Sequence, residues 1–482
     1  MQPMMRKFLS WQAMLFICGG LLVGLLIISF SDLPGRYAPV AFMALAFPFL
    51  VMIAKDVRRF LLIGIVFAIP LALDVNFKHV FENQAGAATL GISLRDILVA
   101  LLLFWWIIEA VVIKKRHANF FGRITVPALL YLEACVLTLL WAPRSDLAIM
   151  EIVQMSKVLL LYFVVANQLQ REGDIRLVLW ALAGTVLLEG TLAMMQLISG
   201  RSLALDLFGE LQVRTGEFDR LDRVGGTLGH PNRLAMFLEL LLPLCIGLSL
   251  LEQKRGLRTT AGIIFAIGFA AMIVTGSRGG WIGVLFSMGL FFYWLVRNRH
   301  LSWWTVAKLS VFFLLIFSSL LLLFYEKIEE RLFGEDYGSA ISRIPMFQIA
   351  WAIIQDHPLG GVGINNYAVN MREYNDTLIG RRFSTIPRPV HNMYLLITGE
   401  TGVLGLSMFL WLVFVLITSL RKCFHSPSIF VSISSISILA GLSAYLLHGL
   451  VDKHPPGGYA LFFMLMALTA ALYNRLGKEP SC

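Results

Sequence analysis

Charge is scarce in this chain of 482 residues, and long polar segments are scarcer still. Only 15% of the residues are charged, 58% are hydrophobic, and the mean hydropathy is +0.75. A soluble domain needs a much more polar surface, so this composition excludes a water-soluble protein and indicates a polytopic membrane protein. Function must therefore be sought in the few polar segments between the apolar runs.

Cysteine is also rare, and none of the five cysteines lies in a long polar loop. They are Cys18, Cys135, Cys245, Cys423 and Cys482. A disulfide framework or a zinc site needs cysteines grouped at short spacings in exposed segments. We therefore expect no disulfide and no metal site built on cysteine.

Long apolar runs, in contrast, fill most of the chain. A membrane-spanning helix needs about 20 mostly apolar residues, and about 14 runs approach that length. The weakest are 60–75 and the pair that flanks Gly276, so the sequence predicts an all-α polytopic integral membrane protein with about 12–14 transmembrane helices. The runs lie near 13–30, 38–54, 60–75, 97–113, 124–142, 150–169, 177–199, 233–252, 261–275, 280–296, 304–325, 402–420, 429–449 and 457–474.

Basic residues concentrate in alternate short loops, which fixes the predicted orientation. By the positive-inside rule these loops and both termini face the cytoplasm, and the long connections 200–232 and 326–401 face outward. Much of the net charge of +10 serves this topology, so nucleic acid is not an expected partner. The basic loop residues include Lys55, Arg58, Arg59, Lys114, Lys115, Arg116, Arg123, Lys254, Arg255, Arg258, Arg297, Arg299, Arg421 and Lys422.

Arginines nevertheless gather on the outer side, against the usual bias. Arginine binds phosphate through two parallel hydrogen bonds and stays charged beside lipid, so the cluster suggests a lipid-linked phosphate ligand. Snorkelling and pairing with loop carboxylates are the alternative. The outward arginines are Arg214, Arg220, Arg223, Arg278, Arg343, Arg372, Arg381, Arg382 and Arg388.

Two short motifs mark helix starts on the outer side. In Gly-Thr-Leu-Gly-His-Pro-Asn at 226–232, Pro231 suits a first helical turn and His230 or Asn232 suits the cap. For His230 this structural role is the favoured interpretation. Thr-Gly-Ser-Arg-Gly-Gly-Trp at 275–281 predicts a tight turn that places Arg278 at headgroup depth.

The second long connection carries most of the remaining chemistry. Residues 342–355 predict a helix capped by Ser342, with an apolar face suited to the membrane surface. The glycine-rich stretch at 357–367 reads as a structural turn, because no lysine follows it as in a phosphate loop. The chain then re-enters the membrane just after His391. The apolar face comprises Met346, Phe347, Ile349, Ala350, Ile353 and Ile354.

Taken together, these motifs resemble the bacterial O-antigen ligase and O-antigen polymerase superfamily of integral-membrane glycosyltransferases. The resemblance covers roughly residues 220–420 and rests on the motifs above, on Arg343 with Trp351, on His-Pro-Leu-Gly-Gly-Val-Gly at 357–363, and on His-Asn-Met-Tyr at 391–394. It divides the chain into N-terminal transmembrane helices (1–199), a ligase/polymerase-like core (200–420) and C-terminal transmembrane helices (421–482).

The resemblance implies a cofactor-free, metal-independent, inverting transfer of a glycan from an undecaprenyl diphosphate carrier at the periplasmic face of the inner membrane. The acceptor would be another glycan or the lipid A core, and membrane lipid and polysaccharide-assembly proteins are the further expected partners. The implied catalytic residues are His391, Arg278 and Arg343. The candidate residues that bind diphosphate or glycan are Arg388, Asn392, Tyr394, His230, Asn232 and Arg382.

General chemistry agrees with these roles. Fixed arginines stabilise a departing diphosphate without a metal, and a histidine with a pKa near ~6.5 can take the acceptor proton. Asn392 is the residue expected to orient the histidine ring. The carboxylate pairs Asp219 with Asp222 and Glu335 with Asp336 are interpreted as solvated loop charges rather than metal ligands.

A transporter or flippase of lipid-linked oligosaccharides remains the alternative. Such proteins also have many helices, and they carry charged residues inside their spans. The chain shows no internal repeat, and its long loops lie on one face, which favours an enzyme acting at that face. The carboxylates within apolar runs are Glu109, Glu133, Glu189 and Glu239.

Overall fold

Helices make up nearly all of the regular structure. The computed structural model describes residues 56–79, 86–87, 89–112, 122–203, 223–308, 343–378, 389–453 and 456–476, together with the single residues 205, 208, 311, 315, 318, 325 and 329. Within them lie thirteen helices, two short 3-10 turns and one β-hairpin. The protein is therefore an all-α polytopic membrane protein, as predicted.

The helices, in chain order, are α1 Val57–Phe67, α2 Leu94–Val112, α3 Thr125–Leu137, α4 Ser145–Gln168, α5 Glu172–Ser199, α6 Pro231–Leu251, α7 Arg255–Val274, α8 Arg278–Arg297, α9 Arg343–Asp356, α10 Tyr367–Leu378, α11 Met393–Cys423, α12 Ile429–His448 and α13 Pro456–Leu476. The strands are β1 Asp74–His79 and β2 Thr89–Ser93.

Seven described helices are long and apolar enough to cross a membrane: α4, α5, α6, α7, α8, α11 and α12. Two shorter apolar segments, Thr125–Leu140 and Ala460–Leu476, coincide with two further predicted runs. The runs 13–30 and 38–54 lie outside the described residues, as does most of 304–325.

The predicted span at 60–75 is wrong. Helix α1 has only 11 residues and ends at Phe67, and a turn through Pro70 leads into β1. Proline lacks the N–H that would continue a helix, so the apolar run breaks there. The strands β1 and β2 then pair antiparallel, from Asp74 opposite Ser93 to His79 opposite Thr89.

Helices α6 and α12 form the centre of the bundle. In their most apolar windows 78% and 83% of residues are buried, against 39% for α7, α8 and α11. Gly441 of α12 makes the close packing possible, because a Cβ atom there would collide with the carbonyl oxygen of Leu240 in α6. Helix α6 also packs against α7 and α8, so at least three helices surround it.

The two ends of the bundle differ in chemistry. At one end Arg58 pairs with Asp174 at 2.7 Å and Arg176 pairs with Glu252 at 2.8 Å, close to the basic loops that were predicted to face the cytoplasm. Tracing the chain back through α6, α8 and α11 places their N-termini at the opposite end. The two outward motifs and His391 therefore share one end.

Helix α9 covers residues 343–356, one residue later than predicted, and the proposed cap Ser342 lies outside the described residues. Its apolar face was expected at the membrane surface. Instead, Ile349 and Ile353 are fully buried in a cluster with Tyr367 and Val390. The face packs on the protein because α10 and the start of α11 lie beside it.

The glycine-rich stretch after α9 packs against a kink in α11 and forms hydrogen bonds with it. Gly402 has φ 66° and ψ −173°, and its Cβ position is occupied by the backbone of Leu359. Around the kink, Val362 N donates to Gly399 O at 2.9 Å and Gly363 N donates to Glu400 O at 2.9 Å. The predicted structural role of this stretch is therefore confirmed.

Candidate functional site

The outward ends of α6, α8, α11 and α12 meet around His391, which directly precedes α11. Asn392 caps that helix, because its side-chain oxygen accepts the N–H of Leu395 at 2.9 Å. The backbone N–H of Met393 donates to the carbonyl of Gly449 at 2.7 Å, which ties the start of α11 to the end of α12. These two contacts fix the backbone on which His391 sits.

His391 is joined to a carboxylate of the next outward loop. Its Nδ1 lies 3.0 Å from Oδ1 of Asp452. The other oxygen, Oδ2, accepts a hydrogen bond from the Asn232 amide at 2.6 Å. The side chain of Asp452 is only 8% exposed, whereas that of His391 is 33% exposed, so the carboxylate is enclosed and the imidazole faces the open side.

The polar chain continues from Asn232 to an arginine. Arg223 Nη2 donates to Asn232 Oδ1 at 3.0 Å, and Arg223 Nε donates to the carbonyl of Thr275 at 2.8 Å. Thr275 ends α7 and leads into the turn before Arg278. His391, Asp452, Asn232 and Arg223 thus form one hydrogen-bonded chain across three outward segments.

Asp452 stays ionised in this setting. Burial by itself would raise its pKa, but the hydrogen bond and charge of His391, the charge of His448 and the N–H of Lys453 hold the pKa of this carboxyl well below its usual value. A fixed negative charge therefore faces the imidazole of His391. Such a carboxylate orients the ring.

A second histidine–carboxylate pair lies beneath the first. Nδ1 of His448 lies 3.1 Å from Oε2 of Glu239, and both side chains are buried. A Cβ atom at Gly279 would stand 2.7 Å from the His448 ring, so the first turn of α8 lies directly against this pair. Asp452 N donates to the His448 carbonyl at 3.0 Å, which links the two pairs through one turn of backbone.

The two predicted catalytic arginines begin helices at the same end of the molecule. Arg278 is the first residue of α8, after the cap Ser277, whose hydroxyl accepts the N–H of Gly280 at 3.3 Å. Arg343 is the first residue of α9, and it lies close enough for its charge to act on the His448 ring. The first turn of α8, which begins at Arg278, thus lies against the His448 ring, and the charge of Arg343 acts on the same ring from α9. The roles of both arginines remain predictions.

The remaining predicted ligands have different surroundings. His230 caps α6, as its Nδ1 accepts the Asn232 N–H at 3.1 Å, and Pro231 follows at the first helical position, so the structural interpretation is confirmed. Burial lowers the pKa of His230 to about 4, and a neutral ring suits that contact. Arg382 and Arg388 lie outside the described residues.

Asn392 does not orient the His391 ring, so that expectation is wrong. Its oxygen caps α11 and its amide donates to the carbonyl of Leu450 at 2.9 Å, which leaves the orienting contact to Asp452. The Tyr394 hydroxyl donates to the carbonyl of Leu446 at 2.8 Å and joins α11 to α12. Glycan binding by Tyr394 stays a prediction.

The sequence did not point to Asp452 or to the Glu239–His448 pair as part of the site, and it pointed to Arg223 only as one of the outward arginines. The available signal for Asp452 was a charged residue in the short outward loop before the last helix. Asp219, Asp222, Glu335 and Asp336 lie outside the described residues, and among those described no three His, Cys, Asp or Glu side chains form a group suited to a metal ion.

Comparison with known families gives one match, to part of the chain. Residues 263–410 match the family model described as O-antigen ligase. This match covers less than half of the chain and supports the resemblance to the O-antigen ligase and polymerase superfamily. The curated proteins give no match. The matched segment includes Arg278, Arg343 and His391, whereas Asn232 and Asp452 lie on either side of it.

The match to this family model supports a general role in glycan transfer during the assembly of surface polysaccharide. The transporter alternative rested on carboxylates within apolar runs. Three of these carboxylates contact other side chains or backbone groups of the protein: Glu109 accepts the indole N–H of Trp105 at 3.1 Å, Glu189 accepts the N–H of Thr227 at 3.0 Å, and Glu239 contacts His448. None of these contacts favours a transport path over an enzyme.

Proposed function

We propose that the protein is a metal-independent, inverting glycosyltransferase that moves a glycan from an undecaprenyl diphosphate carrier to an acceptor hydroxyl. The His391–Asp452 pair carries this proposal. A partly exposed imidazole with a buried carboxylate on its Nδ1 has the form of a general base. The reaction takes place at the periplasmic face of the inner membrane, and both termini face the cytoplasm.

The base acts through the nitrogen that faces the substrate. With Nδ1–H donating to Asp452, Nε2 of His391 carries the free lone pair. The acceptor hydroxyl gives its proton to Nε2 while its oxygen bonds to the anomeric carbon of the donor sugar. Asp452 stabilises the imidazolium that forms and keeps the ring in place.

The arginines serve the leaving group. As the new bond forms, the bond between the anomeric carbon and the diphosphate oxygen breaks, and the electron pair leaves with the diphosphate. Arg278 and Arg343 stabilise that charge through fixed hydrogen bonds, which replace the metal ion that other enzymes use. Attack and departure on opposite faces of the sugar invert the configuration at that carbon.

The acceptor distinguishes a ligase from a polymerase. A ligase transfers the glycan to the lipid A core, and a polymerase transfers it to another lipid-linked repeat. A deletion strain separates the two: single repeats on the cell surface indicate a lost polymerase, and complete polymer held on its carrier indicates a lost ligase.

The proposal is tested by His391→Ala in purified protein supplied with lipid-linked glycan. Removal of a general base should lower the transfer rate at least ~100-fold. His425→Ala is the matched control, because His425 is an exposed histidine at the other end of α11. Unchanged transfer in folded His391→Ala protein would refute the mechanism. Lost lipid translocation, with no transferase activity in the wild type, would favour the flippase.

A further inference from the structure

A cavity of about 180 Å³ lies beside the candidate site, between α6 and the β-hairpin. Helix α6 lines it with Arg233, Met236, Phe237 and Leu240. These positions are spaced by three and four residues, so they form one face of the helix. Asn232, which binds Asp452, lies on the neighbouring face. The cavity and the His391 site thus share α6 as a wall.

The cavity has a charged rim and an apolar floor. Met236, Leu240 and Leu461 line the floor and are almost fully buried. Leu240 lies seven residues beyond Arg233, or roughly 10 Å deeper at a rise of 1.5 Å per residue. Along α6, the lining therefore changes from charged to apolar with increasing depth in the membrane. Ser93, Gln154, Thr227 and Tyr445 contribute polar groups elsewhere in the lining.

The charge at the rim suits an anion. The cavity lining includes two arginines, Arg95 and Arg233, and one carboxylate, Asp74. Arg95 is engaged, because its guanidinium lies 3.2 Å from Asp96. Arg233 is exposed, and the structure gives it no hydrogen bond or ion pair with any residue it describes. This arginine is therefore available to bind an anionic group at the mouth.

Volume and polarity together select the ligand class. A cavity of ~150 Å³ accepts a benzene molecule, so this one holds a short chain segment and not a whole glycan. A sugar hydroxyl placed against Met236, Leu240 or Leu461 would lack a hydrogen-bond partner and would cost free energy. A hydrocarbon chain meets no such cost. An amphipathic molecule with an anionic head fits both ends of the cavity.

We propose that this cavity binds a lipid phosphate, with the phosphate on Arg233 and the first part of the hydrocarbon chain on the floor formed by Met236, Leu240 and Leu461. It is a second lipid site, separate from the diphosphate site at Arg278 and Arg343. If the proposed function holds, its occupant is a lipid-linked acceptor, which deepens that proposal toward chain extension.

The test measures binding of farnesyl phosphate to the purified full-length protein in detergent by native mass spectrometry. Arg233→Ala removes the anion partner. Ala72→Trp narrows the mouth from an exposed lining position, where a larger side chain is tolerated. Each of these two substitutions should weaken the binding of farnesyl phosphate at one of two lipid sites at least ~10-fold, equivalent to 1.4 kcal/mol. Arg201→Ala, an exposed arginine after α5, is the control and should leave both sites intact.

Farnesol and inorganic phosphate distinguish the two parts of the ligand. Both should bind more weakly than farnesyl phosphate, because farnesol lacks the phosphate and inorganic phosphate lacks the hydrocarbon chain. Equal binding of either compound, or full binding by Arg233→Ala and Ala72→Trp, would overturn the proposal. This experiment measures lipid binding and does not depend on glycan transfer. The cavity proposal can therefore hold when the transfer assay fails, and it can fail when the transfer assay succeeds.

Discussion

His391 and Asp452 are 61 residues apart in the chain and are joined by a contact of 3.0 Å between Nδ1 and Oδ1. The second oxygen of Asp452 is held by Asn232, so the carboxylate cannot turn away from the imidazole without losing that hydrogen bond. The pair is therefore oriented before any substrate arrives. Preorganised groups of this kind contribute to catalysis because no reorganisation is needed during the reaction.

We expect Asp452→Asn to lower the turnover number for glycan transfer at least ~10-fold, since an amide holds no charge against the imidazolium. The KM for the lipid-linked donor should change little, because Asp452 acts through His391. Steady-state kinetics of the purified variant measure both quantities.

A double variant provides the control for that experiment. Residues that act as one unit give non-additive losses, so Asp452→Asn should cause almost no further loss in a His391→Ala background. If the two substitutions multiply their effects, Asp452 has a role separate from His391. Size-exclusion chromatography of each variant checks that the fold is intact.

Sequence alone predicted the parts of the site that depend on local patterns. His230 and Pro231 start α6 because their residue types suit a cap and a first turn, and Arg278 follows the turn that the glycines at 275–281 predicted. His391 was found because it lies where a polar segment re-enters an apolar chain. Each of these signals lies within a few residues of the position that it identifies.

Contacts between residues far apart in the sequence could not be predicted from such local patterns. Asp452 lies 220 residues from Asn232, and nothing in its own surroundings indicates which histidine it binds. The β-hairpin was missed because the apolar run at 60–75 masked the break at Pro70. The apolar face of α9 was assigned to the membrane because a lipid surface and a protein surface favour the same side chains.

Asp452 should also make stability depend on pH. The pKa of Asp452 is depressed in the folded protein. Its contribution to the free energy of unfolding is therefore present at pH values above its unfolded pKa of ~3.9, and this contribution is lost as the pH falls below that pKa. Thermal unfolding of the wild type and Asp452→Asn should therefore differ most at neutral pH. The difference should shrink as the pH falls from about 5 toward 3. A constant difference across this range would contradict the assigned charge.

The kink at Gly402 should not accept a side chain. Its backbone conformation is open to glycine almost alone, and a Cβ atom there would overlap Leu359. Gly402→Ala should therefore lower the free energy of unfolding by well over ~1 kcal/mol. Gly289→Ala in α8 is the control, because its Cβ would meet open space and alanine is the better helix former. Thermal unfolding in detergent tests both, and equal stability would contradict the structure.

The buried Glu239–His448 pair should be costly to break. Removal of one partner leaves the other without its contact in an apolar interior, so Glu239→Ala should lose about 3–5 kcal/mol. Glu239→Gln keeps the shape and one hydrogen bond and should lose less. Glu133→Gln changes an exposed carboxylate and should stay within ~0.5 kcal/mol of the wild type. A folded Glu239→Ala protein as stable as the wild type would show that the pair is not structural.

Glycan transfer should survive a metal chelator. In the proposed mechanism the charge on the departing diphosphate is stabilised by Arg278 and Arg343, and guanidinium groups remain charged and in place when divalent ions are removed. We therefore expect the same transfer rate in EDTA as in added magnesium, whereas Arg278→Ala should lower the rate at least ~100-fold in both. Complete loss of transfer in EDTA, restored by magnesium, would require that a metal ion and not the arginines carry the leaving group.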